Sequence, residues 1–351
     1  MFDEIETPAV LVDLDVVERN IARFQAHCTE TGIAARPHIK THKLPEMARR
    51  QVDAGAVGIT CQKVGEAEVM AAAGLDDIFI TYNILGHSKV ARLARLAREI
   101  RMSVVADNPT VVDGLSAGFA SEDAPLQVLV ECDTGAGRCG VQSPGEALAL
   151  AKRIHAAPGL VLGGLMTFPP MTDEARVDAW LNEAKQLLLA EGLPCPRVSS
   201  GGTPNMWRSQ DVKTATEHRA GTYIYNDRSL VEGGVCGPAD CALTVMTTVV
   251  SRPTETRGIV DAGSKVLTTD LFGLTGHGLI AAAPTAAVKG LSEEHGILDL
   301  TQSNFRPEVG TRVRIIPNHA CVVTNMMDRL YLVRGDAAVA EVAVAARGKV
   351  T

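Results

Sequence analysis

Arg36-Pro37-His38-Ile39-Lys40-Thr41-His42-Lys43 is the stretch around which this chain is organised. Two histidines and two lysines crowd the end of an apolar segment, and a helical pattern (Pro45, Met47, Ala48, Val52) follows at once. In α/β folds, the residues just past a strand and before a helix carry the chemistry. A lysine amine placed there can join a carbonyl cofactor as an imine, provided its surroundings lower the ammonium pKa. On composition alone a solvated basic turn is the better reading, since charge runs usually face water. The surrounding sequence reverses that preference.

Outward from this stretch, strand-like and helix-like segments alternate. A short strand in residues 1–11 and a helix through Val16, Val17, Ile21 and Phe24 precede it. Apolar runs fall at 34–40, 58–61, 77–82, 102–106, 126–132, 160–168, 197–200 and 217–225. Helical patterns lie between them at 45–54, 64–73, 88–100, 109–117, 144–156 and 173–191. Asn108-Pro109 sets a cap before a first-turn proline, and Ser143-Pro144-Gly145-Glu146 reads as a capping box. Only 200–217 is thin for a helix, with Trp207 as its main apolar anchor. Buried strands with helical crossovers at this spacing predict a TIM-like (β/α)₈ barrel, with an open doubly wound sheet as the alternative.

Past residue 232 the texture changes. Val-, Thr- and Ala-rich strand patterns recur at 241–251, 257–261, 277–282, 311–316, 320–324 and 329–334, without long helices between them. The expected division is a barrel over 12–232 and an all-β domain over 233–351, with residues 1–11 joining the latter.

Composition agrees with two domains. A chain of 351 residues exceeds one ordinary compact domain, and 46% hydrophobic residues support a sizeable core. A net charge of −7 argues against nucleic-acid and membrane-surface partners. No apolar run reaches about 18 residues, and the acidic start MFDEIETPAV lacks signal-peptide character. Eight scattered cysteines without CxxC pairs suggest reduced thiols and a cytoplasmic enzyme.

Three constellations carry chemistry. Gly135-Ala136-Gly137-Arg138-Cys139-Gly140 is a GxGxxG after a strand, which suggests dinucleotide binding. Against it, the helix start is signalled only at Ser143, and the acidic residue expected about 20 positions on is missing. Gly276-His277-Gly278-Leu279-Ile280-Ala281 runs into Pro284 with no helix behind it and carries nothing. Ser199-Ser200-Gly201-Gly202-Thr203 and Arg219-Ala220-Gly221-Thr222 end the last two predicted strands, where barrels commonly bind phosphate. His319-Ala320-Cys321 falls in a strand pattern, so imidazole and thiolate would share one face and grip one cation, with open positions for water or substrate. His38 and His42 are candidates for further ligands or proton carriers.

Together these residues resemble the fold-type III pyridoxal-phosphate enzymes, specifically the D-threonine aldolase and D-serine dehydratase family. The resemblance spans nearly the whole chain. Residues 36–43 match its cofactor-lysine motif, and Asp133-Thr134-Gly135-Ala136-Gly137-Arg138-Cys139-Gly140 its arginine segment. Arg219-Ala220-Gly221-Thr222-Tyr223 is similar to its phosphate turn, and Asp261-Ala262-Gly263-Ser264-Lys265 and Pro317-Asn318-His319-Ala320-Cys321 to its C-terminal landmarks. The resemblance implies pyridoxal 5'-phosphate bound through Lys40, with Arg138 near its ring oxygen. Ser200, Gly201, Gly202, Gly221 and Thr222 would hold the phosphate, and Arg219, Tyr225 or another group would meet the ring nitrogen. It implies a divalent metal (Mn, Mg or Zn) on His319 and Cys321, with His319 also catalytic. A homodimer is implied too, its active site between one barrel and the partner's β domain. Where relatives carry a glycine- and tyrosine-rich segment, this chain reads Leu165-Met166-Thr167-Phe168-Pro169-Pro170, so no tyrosine hydroxyl acts there.

The implied activity is lyase chemistry on small D-3-hydroxy amino acids: retro-aldol cleavage to glycine and an aldehyde, as in D-threonine aldolases. The alternative is zinc-dependent dehydration of D-serine or D-3-hydroxyaspartate, which a thiolate ligand favours. An amino-acid racemase would need no metal at Cβ. A non-catalytic pyridoxal-phosphate carrier would lack the β domain, and a nicotinamide oxidoreductase would explain only 135–140.

Overall fold

The structure, a computed structural model, describes Phe2 and residues 4–351. The chain divides into two compact units: Arg23–Lys40, Pro45–Gly221 and Lys349–Thr351 form one, and Met1–Ala22, Thr41–Leu44 and Thr222–Gly348 the other. Strand β1 (Ala9–Asp13) belongs to the second unit.

The first unit is the barrel. Among the described residues its parallel strands are β2 (Ala34–Ala35), β3 (Ile59–Cys61), β4 (Asp77–Asn83), β5 (Arg101–Ala106), β6 (Leu126–Cys132), β7 (Leu160–Thr167), β8 (Arg197–Ser200) and β9 (Glu217–His218). Their order is β2-β9-β8-β7-β6-β5-β4-β3, and a parallel bridge between His38 and Thr60 links the two ends of the row. Helices Pro45–Asp53, Val64–Ala72, His87–Ala97, Pro109–Phe119, Pro144–Ala156 and Glu174–Ala190 make the crossovers. The Asn108 side chain accepts from Val111 N–H and the Ser143 side chain from Glu146 N–H, but the Glu146 carboxylate accepts the Gln142 N–H and not that of Ser143, so the capping box is only half formed. Phe79, Val105, Leu129 and Met166, from four successive strands, pack together as one buried layer.

Several strands are shorter than their apolar runs. Pro37 has no N–H for a ladder, so 34–40 is a regular strand only at Ala34–Ala35; the Arg36 and His38 N–H groups still donate to the His218 and Ala220 carbonyls at 3.0 and 2.9 Å before the 3₁₀ segment Ile39–Thr41. Likewise 217–225 is a strand only at Glu217–His218, followed by a 3₁₀ turn at Thr222–Ile224. The thin gap after Ser200 holds a kinked 3₁₀ helix, Thr203–Asp211.

The second unit is antiparallel. It contains β10 (Leu243–Thr254), β11 (Arg257–Val260), β12 (Leu279–Ile280), β13 (Ala287–Leu291), β14 (Gly296–Asp299), β15 (Arg312–Ile316), β16 (Arg329–Arg334) and β17 (Ala337–Ala343). β10 pairs with both β11 and β15, so β10-β11-β14-β13-β12-β15 closes into a ring without an open edge. β1 lies antiparallel to β10 and parallel to β16. Ile5, Ala9, Leu11, Met246 and Val333 cluster beneath it.

The strand read over 320–324 is a helix, Ala320–Met326, with His319 at its N-cap position. Val322 and Val323 favour strands locally, but the Asp227 carboxylate accepts the Ala320 N–H at 3.0 Å and Thr324 Oγ1 donates to the Ala320 carbonyl at 3.1 Å. Among the described residues no helix is long and apolar enough to cross a membrane.

Candidate active site

In the barrel unit, Lys40 ends the segment that follows β2 and is half-buried. Its N–H donates to His38 Nδ1 at 3.2 Å, which leaves the His38 Nε2–H for Gln62 Oε1 at 3.0 Å. Gln62 in turn donates to the Thr81 carbonyl at 2.9 Å, so this imidazole is locked in one tautomer and orientation. Among the described residues no carboxylate pairs with the Lys40 amine.

The glycine turns after β8 and β9 interlock. The buried Ser200 accepts the Arg219 N–H at 3.0 Å, and His218 Nε2 meets the Gly202 carbonyl at 3.0 Å. Burial pulls the His218 pKa down to about 4, so a neutral ring donates this bond. Gly201 has φ +131°, and a Cβ there would lie 2.6 Å from Arg219 N. Only glycine permits that backbone and that approach. The Gly221 N–H is engaged by Thr203 Oγ1 at 3.1 Å, which ties the second turn to the first.

Arg219 is buried and fixed at both terminal nitrogens, donating to Ser199 Oγ at 2.6 Å and the Thr167 carbonyl at 2.8 Å. Burial pulls it down to about 10, while Glu217 and Glu131 oppose that pull. Glu217 binds Ser199 Oγ at 2.5 Å and Arg36 Nε at 2.9 Å; burial raises this carboxyl, but Arg36 and Arg197 outweigh that and hold it below the usual range. Arg138 lies over the Phe168 ring, 4.3 Å from its centroid, and that ring borders Gly202. Phe168 thus links the arginine segment to the first glycine turn.

The GxGxxG loop is built differently from a dinucleotide turn. Asp133 Oδ1 accepts from Gly135 N–H and Gly137 N–H at 2.9 and 3.1 Å, and Asp107 Oδ2 accepts from Gly140 N–H at 3.0 Å. Carboxylates therefore already hold the amides a pyrophosphate would need, and the helix starts only at Pro144.

In the second unit, His319 and Cys321 lie within hydrogen-bonding reach of each other, and Asp270 Oδ2 is 2.7 Å from His319 Nδ1. Burial lowers the imidazole pKa, but Cys321 and Asp270 more than reverse it, raising it to about 9. Cys321 Sγ is 3.1 Å from Thr41 Oγ1 and 3.6 Å from Thr222 Oγ1. Thr41 is the residue after Lys40, and Thr222 the residue after Gly221. The Tyr225 ring is fully buried, edge-on to His42 at 6.4 Å between centroids. The His42 Nδ1 accepts the Leu44 N–H at 3.1 Å. Among the described residues no three His, Cys, Asp or Glu side chains gather as a metal cluster, so His38 and His42 add no such group to the His319–Cys321 pair.

Against this geometry, residues 12–229 match the family described as Alanine racemase, N-terminal domain, and residues 242–333 match a serine dehydratase domain. The chain belongs to the fold-type III pyridoxal-phosphate enzymes. A D-threonine aldolase of Arthrobacter sp is 34% identical over 94% of this chain and 89% of its own length. A D-threo-3-hydroxyaspartate dehydratase of Delftia sp. (strain HT23) is 33% identical over 90% of this chain and 91% of that protein. The crystal structure of D-threonine aldolase from Filomicrobium marinum superposes with a TM-score of 0.90 at 31% identity, covering 99% of this chain and 97% of that one. Solved forms of a D-threo-3-hydroxyaspartate dehydratase include variants with alanine at a histidine and at a cysteine two positions later, the latter metal-free. Within this family, pyridoxal phosphate suits the residues present: an amine on Lys40 outside any ion pair among the described residues, and a Gly201–Gly202 turn that a side chain would fill. A divalent cation suits His319 and Cys321, because Asp270 on Nδ1 orients the imidazole as carboxylates do behind metal-bound histidines.

Sequence reading did not single out His218, Asp270, Asp227 or Thr41 for these roles. Thr41 was legible as the neighbour of Lys40. Asp270 lies 49 residues before His319, and no local pattern joins them.

Proposed function

We propose that this chain is a pyridoxal-phosphate- and divalent-metal-dependent lyase that cleaves D-3-hydroxy amino acids, D-threonine among them, to glycine and an aldehyde. The observation that carries it is the Cys321 sulfur beside the hydroxyls of Thr41 and Thr222, each next in the chain to a cofactor segment.

Lys40 would hold the cofactor through its carbonyl, and its amine would be the base or acid at Cα. The Gly201–Gly202 turn, braced by His218, and Thr222 would hold the phosphate, while Ser200 fixes the Arg219 backbone beside that turn. Arg138, steadied on Phe168, would meet the ring oxygen of the cofactor. Arg219 is held too firmly by Ser199 and Thr167 to move, so it presents a fixed positive charge within the barrel. His319, its proton displaced by the cation, would hold with Cys321 the metal that lowers the pKa of the β-hydroxyl, and Asp270 keeps the imidazole aligned. Bound pyridoxal phosphate would supply the electron sink, and a metal on His319 and Cys321 the Lewis acidity at the substrate's hydroxyl.

Cys321 favours a second reading. Thiolate ligation selects zinc over manganese or magnesium, and the dehydratase relatives include the histidine and cysteine variants described above. In that reading the hydroxyl departs, and the product is a 2-oxo acid with ammonia. One incubation separates them: D-threonine or D-3-phenylserine yields aldehyde and glycine under the first reading. Release of 2-oxo acid without aldehyde overturns it in favour of the second. We further propose a homodimer; light scattering giving a single-chain mass overturns that part.

A further inference from the structure

Phe272 has no part in the chemistry above, and its place in the fold is unusual for an aromatic residue. The Leu274 N–H donates to the Leu271 carbonyl at 2.8 Å, and both central residues of this turn, Phe272 and Gly273, have positive φ, at 50° and 77°. Asn-Gly is the usual pair for such a backbone, and a bulky side chain at its first position is costly. Phe272 is nevertheless 57% exposed, so burial in the core does not offset that cost. Its ring stands edge-on to His319, 4.7 Å between centroids. The turn is tied to the residue before His319: the Asn318 amide, itself buried, donates to the Asp270 and Gly276 carbonyls at 3.1 and 2.9 Å, one on each side of Phe272 in the chain. Arg228 adds bonds to the Thr275 carbonyl at 2.9 Å and to Asn318 Oδ1 at 3.3 Å. Hydrogen-bonded backbone thus sets the phenyl ring against the imidazole and leaves much of that ring open to solvent.

We propose that Phe272 determines specificity: its ring packs on the group carried by the substrate's Cβ, favouring aryl substituents over methyl and disfavouring a carboxylate. The inference rests on the lyase reading, in which the β-hydroxyl meets a cation on His319 and Cys321. The same carbon carries the hydroxyl and the substituent, so the substituent lies beside the imidazole, in reach of a ring whose centroid is 4.7 Å from it. A phenyl group there forms an aromatic pair with Phe272, whereas a methyl group covers little of the ring. A carboxylate gains nothing from the phenyl face and meets the like charge of Asp270, whose Oδ2 is 2.7 Å from His319 Nδ1. Arg228, the cation bonded to this segment, is engaged by the Thr275 and Gly278 carbonyls and by Asn318, so it does not compensate.

Steady-state kinetics of the metal-loaded holoenzyme test it. D-3-phenylserine, D-threonine and D-3-hydroxyaspartate are compared by kcat/KM, and each product is identified as aldehyde or 2-oxo acid. The wild type is expected to act best on the phenyl substrate and worst on the hydroxyaspartate. Phe272→Ala should lower kcat/KM for D-3-phenylserine by roughly tenfold relative to D-threonine, while Phe272→Tyr, which keeps the ring, retains the preference. Intrinsic reactivity cancels in this comparison, because each substrate is the same for both enzymes. A merely structural role for Phe272 would lower all three substrates together, so an unchanged ratio in Phe272→Ala overturns the proposal and leaves the lyase reading in place. A wild type that favours D-3-hydroxyaspartate also overturns it. Formation of 2-oxo acid without aldehyde, with the ratio shifted as expected, removes the aldolase reading and supports the role of Phe272.

Discussion

Glu131 on β6 is buried, and its replacement by glutamine gives a quantitative test of the barrel's electrostatics. Burial is the main force on this carboxyl and Asp107 adds to it, while Arg138 and Arg219 oppose; the pKa rises from an ordinary 4.5 to about 7. Between those values the folded chain binds more protons than the unfolded chain, so stability falls as pH rises through that window. Each pH unit removes ~1.4 kcal/mol, which accumulates to about 3 kcal/mol once the carboxylate is fully charged. Glutamine keeps the shape and never ionises. Glu131→Gln should therefore be nearly neutral at about pH 4 and stabilising by about 3 kcal/mol at about pH 8. Urea titration followed by fluorescence suits this test, because Trp180 and Trp207 both lie in the barrel unit. A stability difference that does not change with pH would refute the reasoning, since it would mean that the arginines already keep Glu131 ionised.

Four further outcomes are expected. Lys40→Ala should abolish both turnover and the visible band that borohydride bleaches; intact activity would remove the central assignment. His319→Ala should lose metal and activity while keeping that band, whereas loss of the band would give His319 a structural role. Asp270→Asn should weaken metal binding about 10–100-fold by freeing the imidazole to rotate, and unchanged affinity in a metal titration would exclude Asp270 from the site. Gly201→Ala forces a side chain onto the Arg219 N–H from a backbone conformation that costs about 1–3 kcal/mol, so cofactor affinity should fall by roughly tenfold or more, and wild-type affinity would disconnect that turn from the phosphate.

Much of this protein follows from local pattern. The alternation of apolar runs with capped helices sufficed for the barrel, because strand and helix periodicities are written within single segments. The β-rich texture of the later chain was legible for the same reason. The helix at Ala320–Met326 was not, because two valines favour a strand locally and the Asp227 carboxylate that anchors the helix start lies 93 residues away. Lys40, Arg138 and the glycine turns stood out because their residue types fit their places after strands. The bracing of Gly202 by His218, the Asp270–His319 bond and the thiol–hydroxyl contacts of Cys321 exist only in three dimensions. The amino-acid order determined which groups are available and which segments carry them. Folding decided which groups meet, since a hydrogen bond depends on distances of a few ångströms that sequence separation does not set.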